Sequence, residues 1–274
     1  RDKNNIFYCY ELAVLLKNEK EYLKRKHLKD VSLFKEFHYQ FPKVGEKELL
    51  FPPIIVGSGP CGLFTAYLLA ENGYKPIVLE QGDEVKKRKL KVEEFFKVGK
   101  LDPLTNVSFG EGGAGLFSDG KIGTMVKDRE GRGKKVFEVF CENGAPKEIL
   151  YKNNPHIGTD VLENVIINMR NKIIAWGGKF CYNTKLTDLK IENNQIVGVE
   201  VNNRSILPCE VLILAIGHSA RDTFYLLHER GLKMEAKPFA LGVRIEHLQE
   251  DINDAQYASY KDLLPPASYK LTYQ

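Results

Sequence analysis

One run of residues, "IIVGSGPCGLFTAYLLAENGYKPIVLEQG", constrains the fold of this 274-residue chain more than any other. Ile54, Ile55 and Val56 form a short apolar stretch that ends in Gly57, the pattern of a strand buried on both faces. Beyond Gly62, the residues Leu63, Ala66, Tyr67 and Ala70 recur at i, i+3, i+4 and i+7, and Gly73 supplies a stop, which predicts a helix. A second apolar run from Pro76 to Leu79 then ends in Glu80. Strand, glycine turn, helix and strand in that order predict a parallel α/β unit.

Gly57, Gly59 and Gly62 fit G-x-G-x-x-G, with Ser58, Pro60 and Cys61 between them. Chance matches to this pattern are common, but here a strand precedes it, a helix follows it, and an acid closes the next strand. The three glycines serve different physical ends. Gly57 permits the tight turn, Gly59 lets the backbone approach a pyrophosphate, and Gly62 lets helix and strand pack closely. The phosphates would lie on the helix N-terminus, where unpaired N–H groups and the dipole favour negative charge. Glu80, 18 residues beyond Gly62 and followed by Gln81, would accept hydrogen bonds from a ribose and repel a 2′-phosphate. FAD or NAD therefore fits and NADP does not. The plainer alternative is a tight strand-to-helix turn with Glu80 as a solvated strand end.

A second glycine-rich stretch, "FGEGGAGLFSDGKI" from Phe109 to Ile122, points beyond a simple nucleotide turn. Flexible linkers are rich in glycine and serine and lack interspersed Phe109, Leu116, Phe117 and Ile122, which anchor a loop in a core. So much backbone entropy sacrificed in an anchored loop suits a bare backbone lying against a ligand.

The remainder reads as follows. "TDVLENVIINMRNKIIAWGG" predicts a helix with Asp160 as N-cap, Glu163 three residues on, and an apolar face of Leu162, Val165, Ile166, Met169 and Ile173. From Lys179 the pattern alternates at period two, with Asn193-Asn194 and Asn202-Asn203 as turns, and closes on an apolar strand from Val211 to Ile216, which predicts a β-meander. "NIFYCYELAVLL" predicts a strand or buried segment, and "EKEYLKRKHLKD" a polar helix. Residues 1–50 form an N-terminal appendage and 51–274 the nucleotide domain with the start of a substrate domain. Ser219 and Asp222 predict a capping box for a helix ending at Gly231. A helix start also accounts for His218 and Arg221, and a capping role for His156.

At 43% hydrophobic and 28% charged residues the composition is that of a globular domain. No apolar run has the length of a membrane span and the start lacks the layout of a signal peptide, so a cytoplasmic protein without membrane partners is expected. Five widely spaced cysteines suggest neither disulfides nor zinc. The basic clusters "KEYLKRKHLK" and "VKKRKLK" read as solvated helix faces, and nucleic acid is not an expected partner. No metal-ligand cluster, paired-carboxylate site or nucleophile triad has recognisable spacing.

Taken together, "IIVGSGPCGLFTAYLLAENGYKPIVLEQG", "FGEGGAGLFSDGKI", "NPHIGTD" and "LILAIGHSARDTFYLLHERG" resemble the large FAD-dependent dehydrogenase family of flavoproteins, within the glutathione-reductase-like FAD superfamily. The resemblance implies that Gly57, Gly59 and Gly62 face the FAD pyrophosphate, Glu80 the ribose, and that Arg88 neutralises phosphate. It implies that the second loop lies along the ribityl chain and flavin, with Gly112, Gly113, Ala114 and Gly115 in close backbone approach and Ser118, Asp119 and Lys121 in polar contact. Leu186 resembles the position whose backbone touches adenine, and Ala215 to Gly217 a second nucleotide-side motif.

Members of that family are longer, and the resemblance therefore implies a chain cut at both ends. The expectation is an α/β, Rossmann-like FAD-binding fold with a parallel sheet, an inserted β-meander and a small appendage. Its function would be FAD-dependent hydride transfer involving a small-molecule substrate, with NAD(P)H as a candidate electron donor. A non-catalytic dinucleotide sensor and, more weakly, a tRNA-modifying flavoprotein remain as alternatives.

Overall fold

The computed structural model describes residues 7, 9–25, 30–118, 120–124, 126–239, 241–243 and 245–269. Along the chain a short helix α1 (Glu19–Arg25) precedes strand β1 (Ile54–Val56), helix α2 (Pro60–Glu71), β2 (Ile77–Leu79), α3 (Val85–Val98), α4 (Arg132–Glu142), α5 (Thr159–Ala175) and β3 (Lys179–Cys181). Strands β4 (Leu186–Glu192), β5 (Gln195–Val201), β6 (Ser205–Pro208) and β7 (Leu212–Leu214) follow, then helices α6 (Arg221–Glu229) and α7 (Gln249–Tyr257). Two compact units emerge, residues 37–234 and residues 1–36 with 235–274.

In the larger unit the sheet is parallel throughout, in the order β3-β2-β1-β7. The β1 register aligns Ile54, Ile55 and Val56 with Ile77, Val78 and Leu79 on one side and Leu212, Ile213 and Leu214 on the other. Side chains alternate across a strand, and β1 divides accordingly. Ile55 joins Leu63, Ala66, Tyr67 and the α5 face on the helical side, whereas Ile54 and Val56 meet Leu186, Leu189, Val199 and Leu227 on the other. The result is three layers: helices α2 and α5, the parallel sheet, and an antiparallel β4-β5-β6 meander with α6. Burying one Ile or Val fully, as at Ile54 and Ile55, contributes about 1.5–3 kcal/mol.

Helix α5 buries Leu162, Val165, Ile166, Met169 and Ile173, the face its periodicity predicts. Its start differs from expectation: Gly158 is the N-cap, Asp160 sits inside the first turn, and Glu163 pairs with Lys89 of α3 at 2.9 Å. An acid inside the first turn still complements the helix dipole without capping it. The capping box at Ser219 and Asp222 is likewise absent. Ala220 is the N-cap of α6, and Asp222 pairs with Lys185 and accepts a 2.9 Å bond from the Thr223 N–H. Asn193, Asn194, Asn202 and Asn203 all adopt positive φ, between 50° and 61°, as the tight turns of the meander require. Lys179–Cys181 is the exception within that region. It extends the parallel sheet beside β2 and stands apart from the meander.

Residues 37–50, expected to belong with the appendage, fall in the larger unit. A Cβ on Gly131 would lie 2.7 Å from the Tyr39 nitrogen, and the Leu50 N–H donates to Glu210 at 2.7 Å. In the smaller unit, α7 is tied to its following segment by Asn253, whose Oδ1 accepts from the Ala267 N–H at 2.8 Å, and by Gln249, which donates to the Ala267 carbonyl at 2.9 Å. Residues 7 and 9–16, expected as a strand or buried segment, carry no regular structure and are exposed. An apolar run without a strand to pair with gains no ladder hydrogen bonds to hold it extended. Residues 5, 6 and 8 of that stretch lie outside the described residues.

Candidate functional site

Strands β1 and β7 lie side by side, with β2 on the opposite side of β1 and the chain's crossovers leaving in different directions. Clefts in doubly wound sheets form at such a reversal, outside the carboxyl ends of the strands. A cavity of about 480 Å³ occupies this place, bordered by Gly57–Cys61 without Ser58, by Glu80 and Gln81, by Gly110, Gly113 and Ala114, by Thr184–Leu186, and by Ala215–Ala220 leading into α6. All of these residues belong to the larger unit.

The three glycines of the first turn separate into two kinds. A Cβ on Gly62 would lie 1.9 Å from the Gly57 carbonyl oxygen, and one on Gly57 would lie 2.4 Å from the Ala215 oxygen. These two glycines are demanded by the protein's own backbone packing. Gly59 is different: its φ of −70° suits any residue, and a Cβ there meets only the Gly113 Cα, at an ordinary 3.6 Å. Nothing in the fold requires glycine at 59, yet it lines the cavity at the start of α2, where no side chain caps the helix and Pro60 stands at the first position. A bare backbone facing open space at an uncapped helix N-terminus is the geometry for a phosphate group. The residues present therefore fit the pyrophosphate of a dinucleotide.

Glu80 borders the cleft but is 5% exposed and tightly engaged. One oxygen accepts from the Ser58 N–H at 2.9 Å and Ser58 Oγ at 2.7 Å, the other from the Gly82 N–H at 2.9 Å and the Gly110 N–H at 3.1 Å. Four protein donors occupy the acceptor capacity of a carboxylate. A ribose hydroxyl at Glu80 would have to share or replace one of them. Ser58 is wholly buried in this contact and does not border the cavity.

Arg88, expected at a phosphate, is also wholly buried and does not line the cleft. Its guanidinium donates to the carbonyls of Asn106, Val107, Gly110, Glu111 and Gly113 at 2.7–3.2 Å and lies over the Phe117 ring, 4.7 Å from the centroid. Burial pushes its pKa down to about 10, opposed by the nearby Glu80 and Glu111 carboxylates, so the side chain stays cationic at neutral pH. Glu111, within the same loop, accepts from Tyr182 Oη at 2.7 Å, Arg170 at 2.7 Å and the Val85 N–H at 2.8 Å. Burial pushes the Glu111 carboxyl up, and Tyr182 and Arg170 oppose that rise.

Of the loop residues, Phe109, Gly110, Gly113 and Ala114 reach the cleft. Gly112 faces Ile166 of α5, where a Cβ would lie 2.7 Å from its Cδ1, and Gly115 has open space beside it without bordering the cavity. Ser118 turns back on its own loop, with Oγ donating to the Gly115 carbonyl at 2.7 Å. Lys121 forms an antiparallel bridge with His156, and neither borders the cleft. Asp119 lies outside the described residues. Leu186, Ala215 and Gly217 do line the cavity, as do Pro60, Cys61 and Gln81. Sequence reasoning missed Ser108, Phe109, Thr184, Lys185, Thr223, Phe224 and Leu227. Thr223 and Leu227 stand four apart on α6, a helical spacing that announces a shared face but not what the face meets.

Two stretches of the chain match protein-family models. Residues 55–85 match the NAD(P)-binding Rossmann-like domain family, and residues 238–274 match the FAD-dependent protein, C-terminal domain-like family. The cofactor these matches indicate is FAD. A protein of Clostridium beijerinckii described as uncharacterized is 45% identical over 276 residues, covering 100% of this chain and 51% of its own length. The chain thus spans about half the length of that curated relative. Among solved structures, THI4 of Thermovibrio ammonificans is 18% identical, with 66% of this chain and 63% of that one covered and a TM-score of 0.43. Glycine oxidase of Bacillus cereus is 16% identical, with 65% and 58% covered and a TM-score of 0.36. No helix among the described residues is long and apolar enough to cross a membrane.

Proposed function

We propose that the chain is the FAD-binding portion of a flavoprotein oxidoreductase that transfers hydride to or from a small-molecule substrate. The observation that carries this reading is Gly59, a glycine the fold does not need, placed where a cleft meets an uncapped helix end. The FAD-dependent family match at residues 238–274 supports it from a separate part of the chain.

In this reading Gly59, Pro60 and Cys61 receive the pyrophosphate at the start of α2, and Leu186 with Thr184 and Lys185 borders the adenosine half. Gly113 and Ala114 direct the remainder of the cofactor along the loop. The bound flavin supplies the hydride chemistry, and the residues named hold and orient it and exclude water from the walls formed by Leu79, Leu214, Ile216 and Leu227.

The test is anaerobic mixing of the FAD-loaded full-length protein with NADH or NADPH and with candidate reduced substrates. Loss of the visible flavin absorbance, restored by an electron acceptor, supports an oxidoreductase. A flavin that binds tightly and resists every donor, while remaining reducible by dithionite, favours a non-catalytic sensor and overturns the proposal.

A further inference from the structure

We propose that Arg88 is a positioning residue that builds the glycine loop of residues 106–113 into its cofactor-ready form before any ligand is present. The inference rests on the proposed dinucleotide site but concerns how that site is made.

Val107 and Phe109, the apolar residues between Asn106 and Gly113, join neither hydrophobic cluster of the unit, contrary to the anchoring role expected of Phe109, and glycines at 110, 112 and 113 give the segment wide conformational freedom. Left alone, such a segment samples many states, and ligand binding would have to select one of them at a cost in affinity. The structure shows what removes that freedom. A guanidinium carries five N–H donors in a rigid planar fork, and five loop carbonyls, those of Asn106, Val107, Gly110, Glu111 and Gly113, converge on the guanidinium of Arg88. The loop is wrapped around one side chain.

Two further observations make this a built arrangement. The aliphatic stem of Arg88 passes so close to Gly110, whose φ is +117°, that a Cβ there would lie 2.4 Å from Arg88 Cδ and 2.9 Å from Nε. Gly110 is thus fitted to the arginine, independently of any ligand. On the outer side of the same backbone the amide groups are fixed too. The Gly110 N–H donates to Glu80, the Glu111 N–H to the Asp83 carbonyl at 3.1 Å, and the Gly112 N–H to the Ser58 carbonyl at 2.9 Å. Carbonyls held inward by Arg88 and amides held outward by Glu80 and Ser58 leave the peptide planes of 110–112 one orientation. Gly113 is set down beside Gly59, with a hypothetical Cβ on Gly113 only 3.0 Å from the Gly59 Cα. The two glycine segments seen separately in the sequence are joined through Glu80, which accepts from both, and through the cation that the Glu80 and Glu111 carboxylates help retain in a buried place.

The chemistry distinguishes this role from that of a phosphate ligand. All three guanidinium nitrogens of the wholly buried Arg88 donate to loop carbonyls, with Gly110, Glu111 and Gly113 sharing Nη1, and Arg88 does not border the cleft, so it is not placed to meet an anion there. Lysine at this position keeps the charge but presents three donors from a single point, so it meets at most three of the five carbonyls.

The experiment is hydrogen–deuterium exchange on the protein stripped of cofactor, with Arg88→Lys beside the wild type and FAD titrated into both. In the wild type, the amides of Gly110, Glu111 and Gly112 are expected to be protected comparably with the β1 and β2 core. In Arg88→Lys, peptides covering 106–117 should exchange at least tenfold faster while α2, α5 and the parallel sheet stay unchanged, and FAD affinity should fall by tenfold or more. A merely structural role would instead lower the melting temperature and raise exchange across the whole unit. Unprotected loop amides in the stripped wild type overturn the proposal whether or not the variant folds. So does a folded Arg88→Lys whose loop exchange and FAD affinity match the wild type. Protected loop amides in a protein that binds no FAD would leave the loop assignment standing and refute the cofactor reading instead.

Discussion

Replacing Gly59 and Gly62 by alanine, one at a time, should give opposite phenotypes from the same chemical change. At Gly62 the added methyl group would lie 1.9 Å from the Gly57 oxygen and 2.9 Å from its carbon, both backbone atoms at the junction of β1 and α2. Neither can rotate away, so strand and helix must separate. Overpacking in a well-filled interior costs about 1–3 kcal/mol, and a clash between two backbones belongs at the upper end, about 3 kcal/mol. For a unit of this size that lowers Tm by roughly 6–12 °C. At Gly59 the methyl group meets Gly113 Cα at 3.6 Å, in a backbone region open to all residues. Reduced freedom of the unfolded chain favours alanine by about 0.4–1 kcal/mol, and its weaker N-capping opposes that by a similar amount, so stability should change by less than about 1 kcal/mol. In the proposed site the same methyl group would occupy the approach to the pyrophosphate, and FAD affinity should fall at least tenfold, with valine abolishing binding. Thermal unfolding of the cofactor-free variants and fluorescence titration with FAD read both effects. If Gly59→Ala destabilises the fold as much as Gly62→Ala, or binds FAD as the wild type does, the division of the motif into a packing part and a ligand part is wrong.

Arg170→Met should remove the ion-pair partner of the wholly buried Glu111 while leaving its bonds from Tyr182 and Val85. Breaking a buried pair from one side costs about 3–5 kcal/mol, and the surviving donors reduce this to about 2–3 kcal/mol, or roughly 4–12 °C in Tm; a shift below about 1 °C would show that Glu111 is not sustained by Arg170. The pH response should follow Lys91, which bridges Asp83 at 2.7 Å and Asp102 at 2.8 Å. Burial works against the Asp83 carboxylate, but Lys91, Asn183 and Thr105 hold its pKa below the usual range, and Lys91 does the same for Asp102. Folded-state values below the unfolded ones mean that this stabilisation is present above about pH 4 and is lost as pH falls through the folded values. Urea melts of wild type and Lys91→Met should therefore differ by a constant amount from pH 7 down to about pH 4 and converge below it. A gap that widens on acidification would contradict the assignment.

The parts of the fold that were legible in the sequence are those where one residue pattern has one physical solution. β1, α2 and the buried face of α5 follow from apolar periodicity, and the paired asparagines announce positive φ because few other side chains tolerate it. Boundaries and caps were less legible. Asp160 and Asp222 have the right chemistry for capping, but Lys185 competes for Asp222, and in α5 the chain enters the helix two residues earlier, with Gly158 as N-cap. Lys179–Cys181 alternates like a meander strand, but it pairs in parallel with β2, a partner that its own residue pattern does not specify.

The candidate site shows the same division. The glycine motif located one wall of the cleft, and Leu186, Ala215 and Gly217 further parts of it. The placement of Arg88 could not be read from "VKKRKLK", where four other cations surround it. Only the three-dimensional convergence of five carbonyls shows that this one points inward. The same convergence alters the meaning of the second glycine stretch. Gly110 is shaped by Arg88 and Gly112 by Ile166, so only part of the loop's glycine content faces a ligand.

The identity of the bound nucleotide decides most directly whether the cleft is an FAD site. Protein purified from cells without added cofactor, in its full-length form, should be denatured, and the released small molecules separated by chromatography against FAD, FMN, NAD and NADP standards. The expected result is FAD in near-stoichiometric amount from the wild type and none from Gly59→Val of equal melting temperature. Release of NAD or FMN, or no nucleotide from well-folded wild-type protein, would contradict it.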